Sequence, residues 1–340
     1  MKEAVTNVVS IRFLASRITN QLRCWWSYAL SLFGIVRVCH LPTFVSIEPA
    51  NYCQLRCPAC PVGQRSHSNT PHKAQNMTWD TYLRILTQLQ STAHTIQFYF
   101  QGEPLLNPLL PKMIARAHEA GLFTIVSTNA QALTHTMAQE LVKSGLNRII
   151  VSIDGFSEES YAAYRVGGSL HRALEGLQSL SHAKAQYGST ICIELQVLRL
   201  RTNEHEWQWI KRHYQQLGAT HLVFKTAQLY DYQHGHPLMP TNQRYSRYHR
   251  QTDGTYHLHR PTPFTLRHNN TPCYRLWSGC VITTAGELLP CCYDKAGEHA
   301  FGSLLTQDIQ QLWHNKNADD FRRQVLLSSH TVPICNECYF

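Results

Sequence analysis

From Thr43 to about Lys225, short apolar stretches alternate with longer amphipathic ones. The short stretches are rich in β-branched residues and end at turn residues, which is typical of buried strands. The longer stretches repeat apolar residues every three or four positions, which predicts helices. The predicted strands are Thr43–Glu48, Thr95–Phe100, Leu122–Ser127, Arg148–Ile153, Thr190–Leu198 and His221–Lys225, and the predicted helices are Thr78–Leu89, Pro108–Ala120, Thr134–Ser144, Leu170–Gln186 and Asn203–Leu217.

This alternation predicts an α/β fold with a parallel sheet, because each strand is followed by a crossover helix. Six strand–helix units are two short of a complete eight-stranded barrel. We therefore expect a partial (β/α)6 TIM-like barrel over residues 41–226, with its chemistry at the C-terminal ends of the strands. A doubly wound sheet is the structural alternative, and it differs from the barrel in strand order, which spacing does not reveal.

The regular pattern stops after Lys225. Residues 227–272 are rich in Tyr, His, Arg, Pro and Asn, and we interpret them as a linker or active-site loop. Residues 273–340 form a predicted small C-terminal domain, with a hairpin that turns near Gly286 and helices at Ile309–Asn315 and Asp319–Leu327.

The twelve cysteines are concentrated in two groups. The first contains Cys53, Cys57 and Cys60, and the second contains six cysteines between residues 273 and 338. A secreted disulfide scaffold would be shorter and richer in loops. Tight cysteine groups in a long α/β chain indicate metal or cluster ligands in a reducing compartment, so we expect the protein in the cytoplasm.

The first group follows the first predicted strand, in the sequence EPANYCQLRCPACP. Its C-x3-C-x2-C spacing places three thiolates on one irregular loop, and thiolates are the usual ligands of iron–sulfur clusters. A four-iron cubane held by three thiolates keeps one iron open to another ligand. Zinc fits less well, since it usually takes four ligands.

A C-x3-C-x2-C loop after the first strand of a βα series resembles the radical S-adenosylmethionine (radical SAM) superfamily. The resemblance implies that Cys53, Cys57 and Cys60 bind a [4Fe–4S] cluster whose open iron chelates S-adenosylmethionine (SAM). It further implies reductive cleavage of SAM to a 5′-deoxyadenosyl radical that abstracts hydrogen from a substrate. The family often has an aromatic residue before the third cysteine, where this chain has Ala59.

Further motifs follow at successive strand ends. Gln101-Gly102-Glu103-Pro104 resembles the family's Gly-Gly-Glu element, Ser127-Thr128-Asn129 its Thr-Asn pair, and Ser152 with Arg165 its ribose and carboxylate contacts. A guanidinium facing a carboxylate is physically reasonable. The resemblance, which covers roughly residues 43–225, implies a SAM site formed by Gly102, Glu103, Ser127, Asn129, Ser152 and Arg165.

The second cysteine group resembles the SPASM or twitch extensions of radical SAM enzymes, because it begins with a C-x12-G-x4-C pattern. The resemblance implies one auxiliary [4Fe–4S] cluster held by Cys273, Cys291, Cys335 and Cys338. Cys280 could replace one of these ligands, whereas Cys292 is expected to point away. A structural zinc site is the alternative, because a terminal C-x2-C also suits tetrahedral zinc. In related enzymes an Asp beside a cluster Cys acts as a base, which makes Asp294 a candidate catalytic residue.

The N-terminal extension, residues 1–40, contains an apolar and aromatic segment from residue 11 to 38 that is interrupted by arginines. It predicts either a helix packed on the barrel or an interfacial helix on the inner face of a membrane. The net charge of +9 favours anionic partners. No run of five basic residues occurs, which argues against a nucleic-acid arm.

Two functions remain open from the sequence alone. The first is a radical SAM enzyme that needs an external electron donor and acts on a peptide, or dehydrogenates an alcohol or sugar, with an anionic substrate favoured. The second is a non-catalytic iron–sulfur or zinc protein with a redox-sensing or binding role.

Overall fold

The structure is a computed structural model that describes residues 2–65, 73–259 and 272–338. Its strands are β1 Phe44–Ile47, β2 Thr95–Phe98, β3 Phe123–Thr128, β4 Arg148–Ser152, β5 Cys192–Arg199, β6 His221–Thr226, β7 Tyr248–Arg250, β8 Tyr256–Leu258, β9 Gly279–Ile282, β10 Glu287–Leu289 and β11 Gly302–Ser303. Its helices are α1 Lys2–Ser31, α2 Pro61–Arg65, α3 Trp79–Leu89, α4 Leu110–Glu119, α5 His135–Lys143, α6 Glu158–Ala162, α7 Leu170–Gln186, α8 Trp207–His213, α9 Tyr274–Ser278, α10 Ile309–Trp313, α11 Lys316–Ser328 and α12 Pro333–Asn336.

The first six strands lie side by side in sequence order and are all parallel. A doubly wound sheet would reverse its strand order at a switch point. Sequential order instead produces the curved sheet of a partial (β/α)6 barrel, which confirms the predicted α/β fold. One face of the strands packs on α3 to α8 and forms the main hydrophobic core, and the other face lines the lumen of the barrel.

The predicted helices match the observed ones closely where a capping residue marks the start. Thr78 and Thr134 accept hydrogen bonds from the amides of Thr81 and Met137, and helices α3 and α5 begin directly after them. The helix predicted over Asn203–Leu217 is shorter, and a 3₁₀ turn precedes it. The side chain of Asn203 explains this difference, because it bonds the carbonyl oxygens of Asp154 and Leu198.

The segment after β6, which the sequence predicts as a linker or active-site loop, contains a short hairpin in the structure. Strands β7 and β8 form an antiparallel hairpin with Tyr248 opposite Leu258. The ring of Tyr232 stacks on that of Tyr248 at 4.1 Å between centroids. These aromatic residues form a small second core beside the cysteine loop, so this part of the chain closes one side of the barrel mouth.

The C-terminal extension is joined directly to the barrel sheet. Strand β9 pairs in parallel with β1, and β10 and β11 continue the same nine-stranded sheet in antiparallel fashion. Gly286 makes the predicted turn between β9 and β10 with φ at +78°, a conformation that favours glycine. The extension therefore covers the side of the barrel on which two strands are missing.

Helix α1 packs against the loops at the N-terminal ends of the strands. The Arg17 guanidinium donates to the carbonyl oxygens of Gln90, Ala120 and Gly121, which end the α3 and α4 segments. This is the packed helix that the sequence offered as one interpretation. None of the helices within the described ranges is long and apolar enough to cross a membrane.

Candidate active site

The loop that carries Cys53, Cys57 and Cys60 begins at the C-terminal end of β1. Main-chain hydrogen bonds hold it to two other segments of the barrel. The Glu103 amide donates to the Tyr52 carbonyl oxygen at 2.8 Å, and the Arg56 amide donates to the Val166 carbonyl oxygen at 2.9 Å. The loop is thus fixed by the ends of β2 and α6, although it has no regular structure of its own.

Gly102 permits the closest of these approaches. A Cβ atom at this position would lie 2.2 Å from the Ala50 carbonyl oxygen and 2.6 Å from backbone atoms of Tyr52. No side chain fits at such distances, so the segment after β2 contacts the cysteine loop only because residue 102 is glycine. The structure thereby places Gly102 beside the loop, as the motif suggested.

Two polar side chains approach the thiols of this loop. Asn129, which follows β3, donates its Nδ2 to Cys53 Sγ at 3.3 Å. Arg165 places Nη1 at 4.0 Å from Cys57 Sγ. Burial raises the pKa of Cys53 to about 12 and also raises that of Cys57, whereas Arg165 acts to lower the latter. Thiolates at these positions would therefore need a bound cationic centre, rather than water, to stabilise them.

Glu103 organises the ends of the strands from a fully buried position. Its carboxylate accepts hydrogen bonds from Thr128 Oγ1 at 2.6 Å, the Asn129 amide at 2.8 Å and the Leu105 amide at 3.1 Å. Burial raises the pKa of Glu103, and these three bonds act to lower it. Because its oxygens face protein donors, the side chain of Glu103 positions Asn129, and only its backbone remains to contact a ligand.

Arg165 forms a buried ion pair with Asp154, which follows β4. The Arg165 Nη2 lies 2.6 Å from Asp154 Oδ2, and the other carboxylate oxygen accepts from the Leu198 amide. The buried Nε of Arg165 has no acceptor in the described part of the chain. The sequence analysis does not predict the role of Asp154. Its position as a charged residue shortly after a strand could have indicated a partner for Arg165.

Ser127 and Ser152 lie near the ends of β3 and β4 on the lumen face. Ser152 Oγ accepts a long hydrogen bond of 3.5 Å from Gln196 on β5. Strand pairing sets Ser127 beside Ile150 and Ser152 beside Gln196, so the two hydroxyls line neighbouring positions of the same surface. All six residues predicted to bind SAM are therefore brought to the C-terminal edge of the first four strands.

The donor set fits a cubane with an open corner. No three His, Cys, Asp or Glu side chains of the described residues converge closely enough to hold a single metal ion, which would need every sulfur within about 2.3 Å of one point. A cubane does not require this, because each thiolate binds a different iron. Three thiols with few other donors, and the free Nε of Arg165, suit such a cluster and an anionic ligand beside it.

The second group of cysteines is assembled from distant parts of the extension. Cys273 precedes α9, Cys291 follows β10, and Cys335 and Cys338 belong to the last helical turn and its end. Burial raises the pKa of Cys291, and the thiols of Cys292, Cys273 and Cys338 act in the same direction. The Cys338 amide donates to the Cys335 carbonyl oxygen, so the two terminal cysteines share one turn.

Two other cysteines of the extension face elsewhere. Cys280 pairs in register with Val45 and is buried in the main core. Burial raises the pKa of Cys280, and Arg322 acts to lower it. Cys292 lies 3.9 Å from Arg275 Nη1. The burial of Cys280 in the core argues against it as a ligand, and the set Cys273, Cys291, Cys335 and Cys338 stays a prediction.

Asp294 holds a loop of the extension. Its two carboxylate oxygens accept from the amides of Glu298 and His299, both at 3.0 Å, and the side chain is fully buried. An acceptor whose oxygens are both used by the backbone is poorly placed to take a proton from a substrate. The catalytic role suggested for Asp294 stays a prediction, and the geometry favours a positioning role.

The lumen between the two cysteine groups is rich in cations. Lys295 lies with Nζ 4.4 Å from the ring centroid of Phe100, and its carbonyl oxygen accepts from Gln101 Nε2. Burial lowers the pKa of Lys225, and Arg148, Arg247 and Arg275 act in the same direction, whereas Glu194 opposes them. Arg148 pairs with Glu194, but Lys225 has no carboxylate partner within the described segments.

Two family models match the chain in the places where these sites lie. The model of the radical SAM superfamily matches residues 47–194, from the end of β1 into β5. The model of an iron–sulfur cluster-binding domain called SPASM matches residues 273–339. Together they cover both cysteine groups and the four strand ends described above.

Individual relatives agree with this assignment. An AdoMet-dependent heme synthase from Methanosarcina barkeri is 27% identical over 150 residues, 44% of this chain and 42% of that enzyme. The chain therefore spans less than half the length of this relative. A PqqA peptide cyclase from Bradyrhizobium diazoefficiens is 24% identical over 88% of this chain and 79% of its own.

Among solved structures, SuiB from Streptococcus suis bound to S-adenosylmethionine superimposes with a TM-score of 0.62. The alignment covers 83% of this chain and 68% of SuiB at 13% identity, so it supports the fold. Sequence motifs, strand order and cysteine geometry lead to the same conclusion: the chain belongs to the radical SAM superfamily and carries a C-terminal SPASM iron–sulfur domain.

Proposed function

We propose that this protein is a radical SAM enzyme that cleaves SAM reductively and uses the resulting 5′-deoxyadenosyl radical to abstract hydrogen from a substrate in the barrel lumen. The observation that carries the proposal is the arrangement of the Cys53, Cys57 and Cys60 loop against the ends of β2, β3 and β4. Its thiols lie beside Asn129 and Arg165, where SAM would have to bind.

The chain's own residues have separable roles in this proposal. Cys53, Cys57 and Cys60 would hold the [4Fe–4S] cluster, which supplies the electron when it is bound and reduced. Arg165, oriented by Asp154, offers Nε and its positive charge to the SAM carboxylate. Asn129 is fixed by Glu103 and by Gln131, whose amide donates to Asn129 Oδ1, so its Nδ2 is held towards Cys53. Ser127, Ser152 and the backbone of Gly102 and Glu103 complete the proposed SAM surface.

The SPASM extension would hold a second [4Fe–4S] cluster at Cys273, Cys291, Cys335 and Cys338. Its pairing to β1 through β9 fixes this site relative to the lumen. Gln101, beside the first site, donates to the carbonyl oxygen of Lys295, four residues after Cys291, so the second cluster would border the substrate cavity. We propose that it relays electrons to or from an external donor, or shapes the pocket.

The test of SAM cleavage is direct. Protein loaded anaerobically with iron and sulfide is mixed with dithionite and SAM, and 5′-deoxyadenosine is measured. We expect its formation by the wild-type chain, none by Cys57→Ala, and normal formation by Cys39→Ala, which removes an exposed cysteine near α1. A fully loaded cluster that yields no 5′-deoxyadenosine would instead favour the non-catalytic alternative.

An anionic substrate is favoured by the lumen charges, whether the substrate is a peptide or an alcohol or sugar. Strand register puts Lys225 of β6 on the same face of the sheet as Arg148 of β4 and Glu194 of β5, so cations outnumber carboxylates among these three residues. Candidate substrates can be compared as free acids and as methyl esters by the 5′-deoxyadenosine that they stimulate. We expect the acids to stimulate more, and Lys225→Gln to reduce that preference.

A further inference from the structure

Helix α1 turns polar side chains towards the protein. Arg17 donates to three carbonyl oxygens of the barrel, and Asn20 Nδ2 donates to those of Leu41 and Thr92. Ser27 Oγ lies 3.2 Å from Nδ1 of the buried His40. An ordinary surface helix packs an apolar stripe on its core and leaves polar residues outside. The docked face of α1 is instead held largely by hydrogen bonds.

The opposite face of α1 is apolar and exposed. With about 100° of rotation per residue, Leu14, Ile18, Leu22, Trp25 and Trp26 fall on one stripe of the helix. Trp26 is 61% exposed, and the other four are exposed to about half of their surface. The stripe continues past the end of the helix with Leu32, Phe33 and Ile35, of which Phe33 is 81% exposed. A contiguous apolar surface of this kind marks an interaction site.

The charges around the stripe specify its partner. The sequence contains no acidic residue between Glu3 and Glu48, and it contains Arg12, Arg17, Arg23 and Arg37 in that interval. Arg23 and Arg37 are exposed beside the stripe. Tryptophan prefers the interface between lipid and water, and arginine beside it is attracted to anionic headgroups. A second copy of the chain would bring these arginines against one another.

We propose that α1 lies in the surface of an anionic lipid bilayer and docks the N-terminal face of the barrel on it. The segment of α1 from Leu14 to Ser31 contains 18 residues, or about 27 Å at 1.5 Å per residue. It lies along the interface, with its apolar stripe in the acyl boundary and Arg23 and Arg37 at the headgroups. The cysteine loop, at the opposite ends of the strands, then faces away from the membrane.

The experiment measures binding of the cluster-loaded full chain to vesicles. Vesicles of phosphatidylcholine alone are compared with vesicles that also contain phosphatidylglycerol, by cosedimentation and by the fluorescence of Trp25 and Trp26. Leu22→Gln/Trp26→Gln is the test variant. Leu327→Gln/Trp209→Gln is its matched control, since it removes one exposed Leu and one exposed Trp from other helices. Circular dichroism and cluster absorbance confirm that each variant is folded.

We expect binding to the anionic vesicles with a blue shift of tryptophan emission. The test variant should bind at least about tenfold more weakly, while the control variant binds as the wild type does. Arg23→Gln/Arg37→Gln should lose roughly fivefold per arginine on anionic vesicles, and Arg172→Gln/Arg212→Gln should not. No binding at low salt, equal binding by the test variant, or a dimer without vesicles that the test variant abolishes would each overturn the proposal.

Discussion

The two cysteine sites differ in how the chain assembles them. The first lies within the eight residues from Cys53 to Cys60, on one loop that the ends of β2 and α6 hold. The proposed second site would collect Cys273, Cys291, Cys335 and Cys338 from segments spread over 66 residues, and it would form only once the extension has folded on β1. In this proposal the local site keeps an iron open to SAM, whereas the assembled site supplies four thiols to its cluster.

The largest expected effect separates the two sites by their chemistry. Cys57→Ala should abolish SAM cleavage, because only the first cluster is proposed to bind SAM. It should also remove about half of the bound iron, because each of the two proposed clusters holds four irons. Cys335→Ala/Cys338→Ala should lose the other half of the iron but retain formation of 5′-deoxyadenosine without substrate. Iron analysis and product quantification on anaerobic protein measure both quantities. If the second variant also loses all cleavage while its first cluster is loaded, the two sites are not independent.

The next effect concerns the ion pair that serves the first site. Arg165→Met leaves the Asp154 carboxylate buried without its partner, so the free energy of unfolding should fall by about 3–5 kcal/mol. The double variant Asp154→Asn/Arg165→Met removes both charges and should regain most of that stability. Urea unfolding gives the stabilities, and calorimetry of the cluster-loaded protein gives the SAM affinity. The affinity should stay low in both variants, and its recovery in the double variant would show that Arg165 is only structural.

A smaller effect concerns the acid sensitivity of the contacts that His40 makes with α1 and with α9 of the extension. Burial lowers the pKa of His40 to about 4, from an ordinary value of 6.5. Its ring joins Ser27 of α1 to the Trp277 carbonyl oxygen of α9, at 3.2 Å and 2.7 Å. A lowered pKa means that the neutral form stabilises the fold. Its contribution, roughly 3 kcal/mol, is fully present above pH 6.5 and is lost as the pH falls towards 4.

Unfolding of wild-type and His40→Asn protein between pH 4 and pH 7 tests this expectation. The variant should be less stable at pH 7 and should lose less on acidification, because it has no histidine to protonate at that position. Hydrogen exchange should report opening of α1 and α9 before the strands β2 to β5. If acidification lowers the free energy of unfolding equally in the two proteins, protonation of His40 does not cause the loss.

The smallest effect tests how tightly the first loop is packed. An added Cβ in Gly102→Ala meets backbone atoms of Ala50 and Tyr52, so we expect a loss of about 1–3 kcal/mol and weaker cluster loading. Gly188→Ala is the control, because its Cβ would meet nothing within 4 Å and only the φ of +59° opposes it. Cluster absorbance per chain should fall in the first variant and remain unchanged in the second.

Features that depend on local sequence could be predicted, whereas features that depend on contacts between distant segments could not. The barrel helices and strands follow from periodicity, and the bounds of helix α7 match the prediction at both ends. The cysteine loop is a local motif with a family resemblance. The core position of Cys280 follows only from the register that pairs it with Val45, and this bears on which of the six C-terminal cysteines can be ligands. No local pattern contains that information.

Three further features also depended on tertiary contacts. The hairpin of β7 and β8 is stabilised by stacking of Tyr232 on Tyr248, two residues sixteen positions apart. The hydrogen bonds that Thr128 and Asn129 donate to Glu103 link the ends of two neighbouring strands, and the ion pair of Arg165 with Asp154 folds back the connection that follows β4. Propensity and spacing do not encode such pairings. The apolar residues of α1, by contrast, are visible in the sequence, and only the structure shows that the opposite face of the helix packs on the barrel.

The most direct test of the central claim is electron paramagnetic resonance of the reduced, anaerobically loaded protein with and without SAM. We expect SAM to change the signal of one cluster, and we expect this change to persist in Cys335→Ala/Cys338→Ala and to disappear in Cys57→Ala. A first cluster whose signal SAM leaves unaltered, at a concentration that saturates binding, would contradict an iron open to SAM at the Cys53, Cys57 and Cys60 loop.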